Sequence, residues 1–279
     1  MNHKLLTTIG LILFGLGILL ALSFKDFGKL RIIACDVGQG DGLLIVTPGG
    51  EQIVVDGGPG NKISQCLAKK MPFWDKTIEL MVLTHPQKDH MEGLLDLLSR
   101  YKVQMVATTG VAAKIELFDV WRKMIGEEGA KIYNPHSGES LVIDEVSLEI
   151  LWPDASQLTS WQKEPPGDLN ESSIVFRLQS GEFCAYFTGD ITWQILEGLI
   201  DKKCQVLKIA HHGSKTGTNK KIIDLSAPSV ALIQVGKNNR YGHPHKEVLE
   251  LLKGTKILRN DIEGDIELQY DGQEFSLGR

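Results

Sequence analysis

The chain has 279 residues, of which 42% are hydrophobic and 23% charged, with a formal net charge of -5. This is ordinary globular composition, long enough for one sizeable core and one or two domains. The acidic balance excludes a global basic field that would gather nucleic acid, although a local basic surface stays open.

Residues 5–24 contain no charged side chain. A helix of about 20 residues rises roughly 30 Å, the thickness of a bilayer core, and Met1 to Lys4 supplies a short positive head. Two membrane readings follow. One is an uncleaved anchor with the remainder outside the cytoplasm. The other is a signal segment cut after Ala21-Leu22-Ser23, which would leave a secreted protein. Residues 1–27 are therefore set apart as an anchor or signal segment, and 28–279 form the folded domain.

The strand at 32–34 runs into Cys35-Asp36-Val37-Gly38-Gln39-Gly40-Asp41-Gly42, a glycine loop that lacks the Lys and Ser/Thr of a phosphate-cradling loop. Strands at 43–47 and 52–55 form a hairpin and end at Asp56-Gly57-Gly58. A helix around 62–70 leads to an apolar strand at 78–83. Then comes Thr84-His85-Pro86-Gln87-Lys88-Asp89-His90, with a helix over 91–98. Imidazole and carboxylate groups crowded into a tight turn suit zinc, manganese or iron.

A strand at 103–107, a helix at 114–125, a strand at 131–133 and a hairpin at 141–151 come next. Residues 153–170 are rich in Pro, Gly, Ser, Asp and Gln and read as a long loop. Strands at 173–178 and 183–187 precede Thr188-Gly189-Asp190 and a helix at 191–200. The strand at 206–210 ends at His211-His212-Gly213-Ser214, and a helix covers 218–225. The strand at 230–235 leads to a polar run ending Tyr241-Gly242-His243-Pro244-His245. A helix at 247–252 and short strands at 256–258, 265–270 and 274–276 close the chain. Two sheets packed face to face, with helices outside, fit this order. Cys35, Cys66, Cys184 and Cys204 lie far apart with no CxxC, which excludes a thiolate zinc ribbon. Cys35 and Cys184 sit in apolar runs and read as buried thiols, with disulfides the alternative for a domain outside the cytosol.

Asp56, His85, Asp190, His211 and Asn238 each follow the end of an apolar strand. Such ends share one edge in parallel or mixed sheets, so these clusters converge on one site. With these motifs in this order over residues 36–245, and Asn170-Glu171-Ser172-Ser173 between them, the sequence resembles the metallo-β-lactamase superfamily. More narrowly, it resembles the hydrolase domain of the ComEC/Rec2 competence proteins.

The resemblance implies an α/β fold, the αββα sandwich, over 28–279. It also implies a divalent metal site of one or two ions, manganese or zinc. His85 would serve one metal, and Asp89, His90 and His212 the other, with Asp190 bridging; His211 is the alternative to His212 as ligand, since adjacent residues on extended backbone point opposite ways. Gln87 stands where the superfamily has a His, so the first metal would be labile and the second firm. Asp89 and Asp190 would orient a metal-bound hydroxide for attack on phosphorus or a carbonyl carbon, and His211 would face the substrate. Ser214, Lys215, Asn238, Arg240 and His243 would bind substrate. Asp41, Asp56, Gln87 and Asn170 would line the site. The implied activity is that of a membrane-tethered nuclease or phosphodiesterase acting on DNA. The competing readings are a metallohydrolase of another ester, lactone or β-lactam, and a binding module whose metal site has decayed.

Overall fold

The computed structural model describes residues 28–161 and 163–278, together with Ile9, Leu11 and Phe14. The apolar segment expected within 1–27 lies otherwise outside the described residues. Among the described residues no helix is long and apolar enough to cross a membrane.

Two sheets stack face to face. The eight-stranded sheet contains β1 (Leu30–Ala34), β2 (Gly42–Val46), β3 (Gln52–Gly57), β4 (Thr77–Leu83), β5 (Lys102–Thr108), β6 (Lys131–Tyr133), β14 (Ile266–Tyr270) and β15 (Phe275–Leu277). Its spatial order is β15-β14-β1-β2-β3-β4-β5-β6. The seven-stranded sheet contains β7 (Ser140–Ile143), β8 (Val146–Trp152), β9 (Val175–Ser180), β10 (Phe183–Phe187), β11 (Val206–Lys208), β12 (Val230–Ile233) and β13 (Lys256–Arg259). Its order is β13-β12-β11-β10-β9-β8-β7.

Side chains alternate along each strand. Ile32, Ile53, Val55, Leu80 and Val82 point between the sheets, where they meet Leu148, Phe176, Leu178, Phe187 and Val206. Ile33, Val54, Met81 and Val106 face outward under α1 (Lys62–Lys70), α2 (Lys88–Leu98) and α3 (Glu116–Glu128). On the far side Val175, Tyr186, Leu207 and Ala231 face α5 (Trp193–Leu196), α6 (Lys220–Ser226) and α7 (Lys246–Leu251). The layers are therefore αββα, as the sequence implied.

In each sheet one half is parallel. β3 through β6 pair in parallel, and so do β10 through β13. Their crossover helices cover the outer faces, and their carboxyl ends lie along one edge. Gly57 and Gly93 let α2 seat directly on β3, since a Cβ on Gly93 would lie 2.1 Å from the Gly57 carbonyl oxygen.

Three sequence expectations change. Residues 153–170 are not one loop, for they contain α4 (Ala155–Trp161), and the 3-10 turn Leu169–Ser172 follows. Asp154 caps that helix by accepting from the Gln157 backbone N–H, a local cap that outweighs the turn-forming composition. The helix expected over 191–200 shrinks to Trp193–Leu196, and a short helix α8 (Asn260–Glu263) appears after β13. Cys35 and Cys184 are buried, as expected, but the disulfide alternative holds in place of the thiols: Cys35 bonds Cys66 and Cys184 bonds Cys204, with Cα separations of 5.9 and 5.0 Å. Sequence separations of 31 and 20 residues hide both pairings from spacing arguments.

Candidate metal centre

The turn after β4 carries His85, and the first turn of α2 carries Asp89 and His90. Asp190 follows β10, and His212 sits in a 3-10 turn after β11. The glycine loop after β1 brings Asp41 to the same place. A Cβ on Gly40 would meet the Asp89 carbonyl oxygen at 2.1 Å, and the Asp41 backbone N–H donates to that same carbonyl at 3.2 Å. Only glycine lets these two backbones approach so closely.

Four groups of ligand-type atoms lie within 4.8 Å of one another: His85, His90, Asp190; Asp89, His90, His212; Asp41, Asp190, His212; and Asp41, Asp56, His90. Asp190 Oδ2 stands 3.3 Å from His90 Nε2 and 3.2 Å from His212 Nε2, and Asp89 Oδ2 is 3.5 Å from His212 Nε2. All of these side chains except Asp89 are buried.

The surrounding hydrogen bonds fix which imidazole nitrogen is free. Asp56 accepts from His90 Nδ1 at 2.8 Å and is itself held by the Thr84 backbone N–H and hydroxyl at 2.8 and 2.7 Å. Because the Thr84 hydroxyl donates to Asp56, it accepts from His85 Nδ1 at 3.1 Å. Ser173 Oγ stands 3.3 Å from the same nitrogen and accepts from the Asp190 backbone N–H. His212 Nδ1 meets the Gln234 carbonyl at 3.0 Å and Asp41 at 3.3 Å. Each ring thus spends its Nδ1 on the protein and turns its Nε2 inward. His85 Nε2, His90 Nε2, His212 Nε2 and Asp190 Oδ1 are buried without a hydrogen-bond partner. Buried polar atoms are seldom left so, and three imidazole Nε2 atoms with a carboxylate oxygen are the donor set of a transition-metal ion.

Electrostatics separate the three histidines. Burial, with the neighbouring His90 charge, pushes His85 down to about 3, so it stays neutral, the ligating form. Burial acts the same way on His90, but Asp190 and Asp56 outweigh it and raise the imidazole well above its usual range. For His212, Asp190 and Asp41 likewise overcome burial. Asp190 is buried as well, yet His212 and His90 hold it well below the usual carboxylate range.

His211 and His212 both take left-handed backbone angles, φ 51° and 54°. On extended backbone the two rings would point to opposite sides. The turn instead buries His212 and leaves His211 half-buried, with its ring 5.7 Å from that of His243. Non-glycine residues pay of order 1 kcal/mol or more in this region, and such strain concentrates at functional sites.

The remaining expected residues divide. Asn238 and Arg240 line a cavity of about 500 Å³ with Gln39, Pro59, Lys88, Asp89 and Tyr241, so it opens beside the cluster. His243 stacks against Tyr241, ring centroids 5.8 Å apart. Ser214 bonds Thr216, whose hydroxyl is 3.4 Å from His211 Nδ1. Lys215 is exposed and does not line the cavity. Gln87 supplies backbone bonds to the start of α2, while its side chain makes no capping bond. Asn170 is buried, with an unpartnered Oδ1.

Lys208 was missed. It is 2% exposed, and its Nζ lies 2.5 Å from Asp41 Oδ2 and donates to the Gly189 carbonyl at 3.2 Å. A charge inside the apolar run Val206-Leu207-Lys208-Ile209-Ala210, just before paired histidines, was the available signal. Gln234, which holds His212 and donates to the Gly42 carbonyl at 2.8 Å, gave none.

A His/Asp cluster at the common edge of two packed sheets is a metal-site arrangement, and it fits the fold that the sequence resemblance implied. The family model described as "Beta-lactamase superfamily domain" matches residues 51–214, and the chain belongs to that superfamily. Among curated proteins it is 30% identical to ComE operon protein 3 of Bacillus subtilis (strain 168), over 84% of this chain and 32% of that protein. It is 26% identical to Recombination protein 2 of Haemophilus influenzae, over 89% of this chain and 30% of that one. The chain thus spans about a third of the length of these relatives. Among solved structures, the metallo-β-lactamase fold protein YhfI from Bacillus subtilis superposes with a TM-score of 0.58 at 12% identity, covering 88% of this chain and all of that one. A diphosphatase of the PhnP family gives 0.53 at 13%, covering 87% and 98%. At such identities these two show the fold alone.

Proposed function

We propose that the chain is a metal-dependent phosphodiesterase that cleaves DNA, held to the outer face of a membrane by residues 1–27, with 28–279 as its hydrolase domain. The observation that carries this reading is the set of four buried, unpartnered ligand atoms on His85, His90, His212 and Asp190. His85 and Asp190 would hold one divalent ion. Asp89, His90, Asp190 and His212 would hold the other, and this mixed imidazole and carboxylate set suits manganese or zinc. An ion there supplies Lewis acidity and activates water for attack on phosphorus.

The chain's own groups do the rest. Asp56, Thr84 and Gln234 fix the imidazole tautomers. Asp89, half-buried and held down to about 2 by the His212 and His90 imidazoles despite its burial, stays ionised to orient the nucleophile. His211, half-buried beside His243, would face the leaving oxygen, and Lys88, Arg240 and Asn238, which line the adjoining cavity, would hold the phosphodiester backbone. The competence relatives support DNA as substrate. Two disulfides support an oxidising compartment outside the cytosol.

The test is cleavage of labelled single-stranded and plasmid DNA by the full chain with Mn²⁺ or Zn²⁺, set against Asp190→Ala and a small chromogenic diester. Metal-dependent DNA cleavage abolished by D190A is expected. Turnover of the small diester without DNA cleavage would refute the nuclease assignment, and bound metal with no turnover of either would refute the hydrolase.

A further inference from the structure

β1 runs antiparallel to β2, β2 antiparallel to β3, and β3 parallel to β4. β1, β3 and β4 therefore point the same way. Their carboxyl ends form the edge that carries Asp56 and His85, and their amino ends form the opposite edge. The chain enters the fold at that opposite edge. There the Gly28 backbone N–H donates to the Pro48 carbonyl at 3.0 Å, and Arg31 Nη1 donates to the Lys70 carbonyl at 3.3 Å.

Beside this point, residues 72–76 project from the end of α1 before β4 begins. Asp75 pins the segment to the start of β3 by accepting from Gln52 Nε2 at 3.0 Å. Phe73 is 79% exposed and Trp74 54%, and their rings meet edge to face at 4.9 Å. Lys69 and Lys76 flank them, both exposed. Two adjacent large aromatics held in water on a short pinned loop gain nothing from folding. Trp suits a membrane interface, where its ring is buried and its N–H stays wet, and flanking lysines are drawn to anionic headgroups.

The tether sets the distance. From Phe24, the end of the uncharged segment, to Leu30 is six residue steps, which reach at most about 20 Å fully extended. A chain anchored by residues 5–24 must hold this edge close to the bilayer surface.

We propose that residues 72–76 form a membrane-contact loop, with Phe73 and Trp74 seated in the interface of an anionic bilayer between Lys69 and Lys76, so that the metal-binding edge faces away from the membrane. This rests on the tethered placement proposed above. It leaves the cavity beside Asp89 open to solvent and to a long polymer arriving from outside.

The test uses the full chain in vesicles of phosphatidylcholine and phosphatidylglycerol carrying lipids brominated near the top of the acyl chain. Tryptophan quenching is compared between wild type and Trp74→Phe, with flotation on a density gradient in parallel. Strong quenching that is largely lost in W74F is expected. Flotation with equal quenching in wild type and W74F refutes the loop contact and leaves the tether standing. Failure to float refutes the tether and the proposal with it. Shielding of Trp74 from iodide in vesicle-free solution, together with a doubled mass by light scattering, gives this edge to a second copy of the chain and also overturns the proposal.

Discussion

Removing the Lys208 ammonium should expose how the two sheets are held together at the metal-binding edge. Lys208 ends β11 in one sheet, and Asp41 stands in the loop entering β2 of the other, with 2.5 Å between Nζ and Oδ2 and both side chains at 2% exposure or less. Burial works against both charges, yet the pairing keeps Asp41 below and Lys208 above their ordinary ranges. At an effective dielectric of about 20 the gross attraction is about 7 kcal/mol, most of it offset by desolvating two ions. The pair is therefore expected to contribute little net stability, while losing one partner is costly. Lys208→Met should lose about 3–5 kcal/mol because it leaves the buried Asp41 carboxylate with only imidazole neighbours, and Asp41→Asn should lose a similar amount by taking from the ammonium its nearest carboxylate. The double variant, with neither charge, should return to within about 1 kcal/mol of wild type. Urea unfolding of the chelator-treated chain, followed by circular dichroism, measures all four corners of the cycle without metal stabilisation. A midpoint drop of more than about 1 M for K208M is expected for a domain of this size. A K208M loss below about 1 kcal/mol, or a double variant that loses the sum of the singles, would refute the argument.

Asp56→Ala should weaken metal binding about 10- to 100-fold by freeing the His90 ring, read by competition with a fluorescent chelator. The four cysteines should resist alkylation until reduced, and removing Cys184–Cys204 or Cys35–Cys66 should cost about 3–4 kcal/mol in the chain-entropy account for loops of 20 and 31 residues, checked by denaturation of paired serine variants. Burial disfavours the Glu267 charge, but Arg31 and Lys70 at 2.8 and 2.9 Å hold the carboxyl at about 2, below its unfolded value. Its stabilisation, on the order of 2 kcal/mol, is therefore fully present above about pH 4.5, and is lost as pH falls towards 2. Glu267→Gln should flatten that acid limb in unfolding curves taken across the range. Gln87→His should raise bound metal per chain towards two by elemental mass spectrometry, and unchanged stoichiometry would show that the first site does not depend on this position.

What the sequence reveals and what it hides follow the same physics. Strands announce themselves through alternation, and acidic and imidazole side chains that follow apolar strands announce an edge, so the convergence of His85 and Asp190 was legible in the sequence, whereas the ligand roles of Asp89, His90 and His212 rested on the family resemblance. Asp41 and Asp56 were legible as neighbours of the site but not in degree, because burial is a property of the assembled layers. Asp41 lies wholly buried against Lys208 of the other sheet, and nothing in either local sequence states that pairing. The disulfides were hidden for a related reason, since an apolar run buries a cysteine whether or not its partner lies across the layer.

His211 and His212 show a different limit. Adjacent residues are ambiguous until the backbone angle is known, and here both sit in a left-handed turn that few non-glycine residues adopt. The turn is retained because it aims His212 at Asp190 and keeps its Nδ1 on the Gln234 carbonyl. Local preference loses to a buried polar network at the one edge where both sheets must present charged groups together. Restoring that preference with a residue that relaxes the turn should therefore disperse the cluster before it disturbs the core.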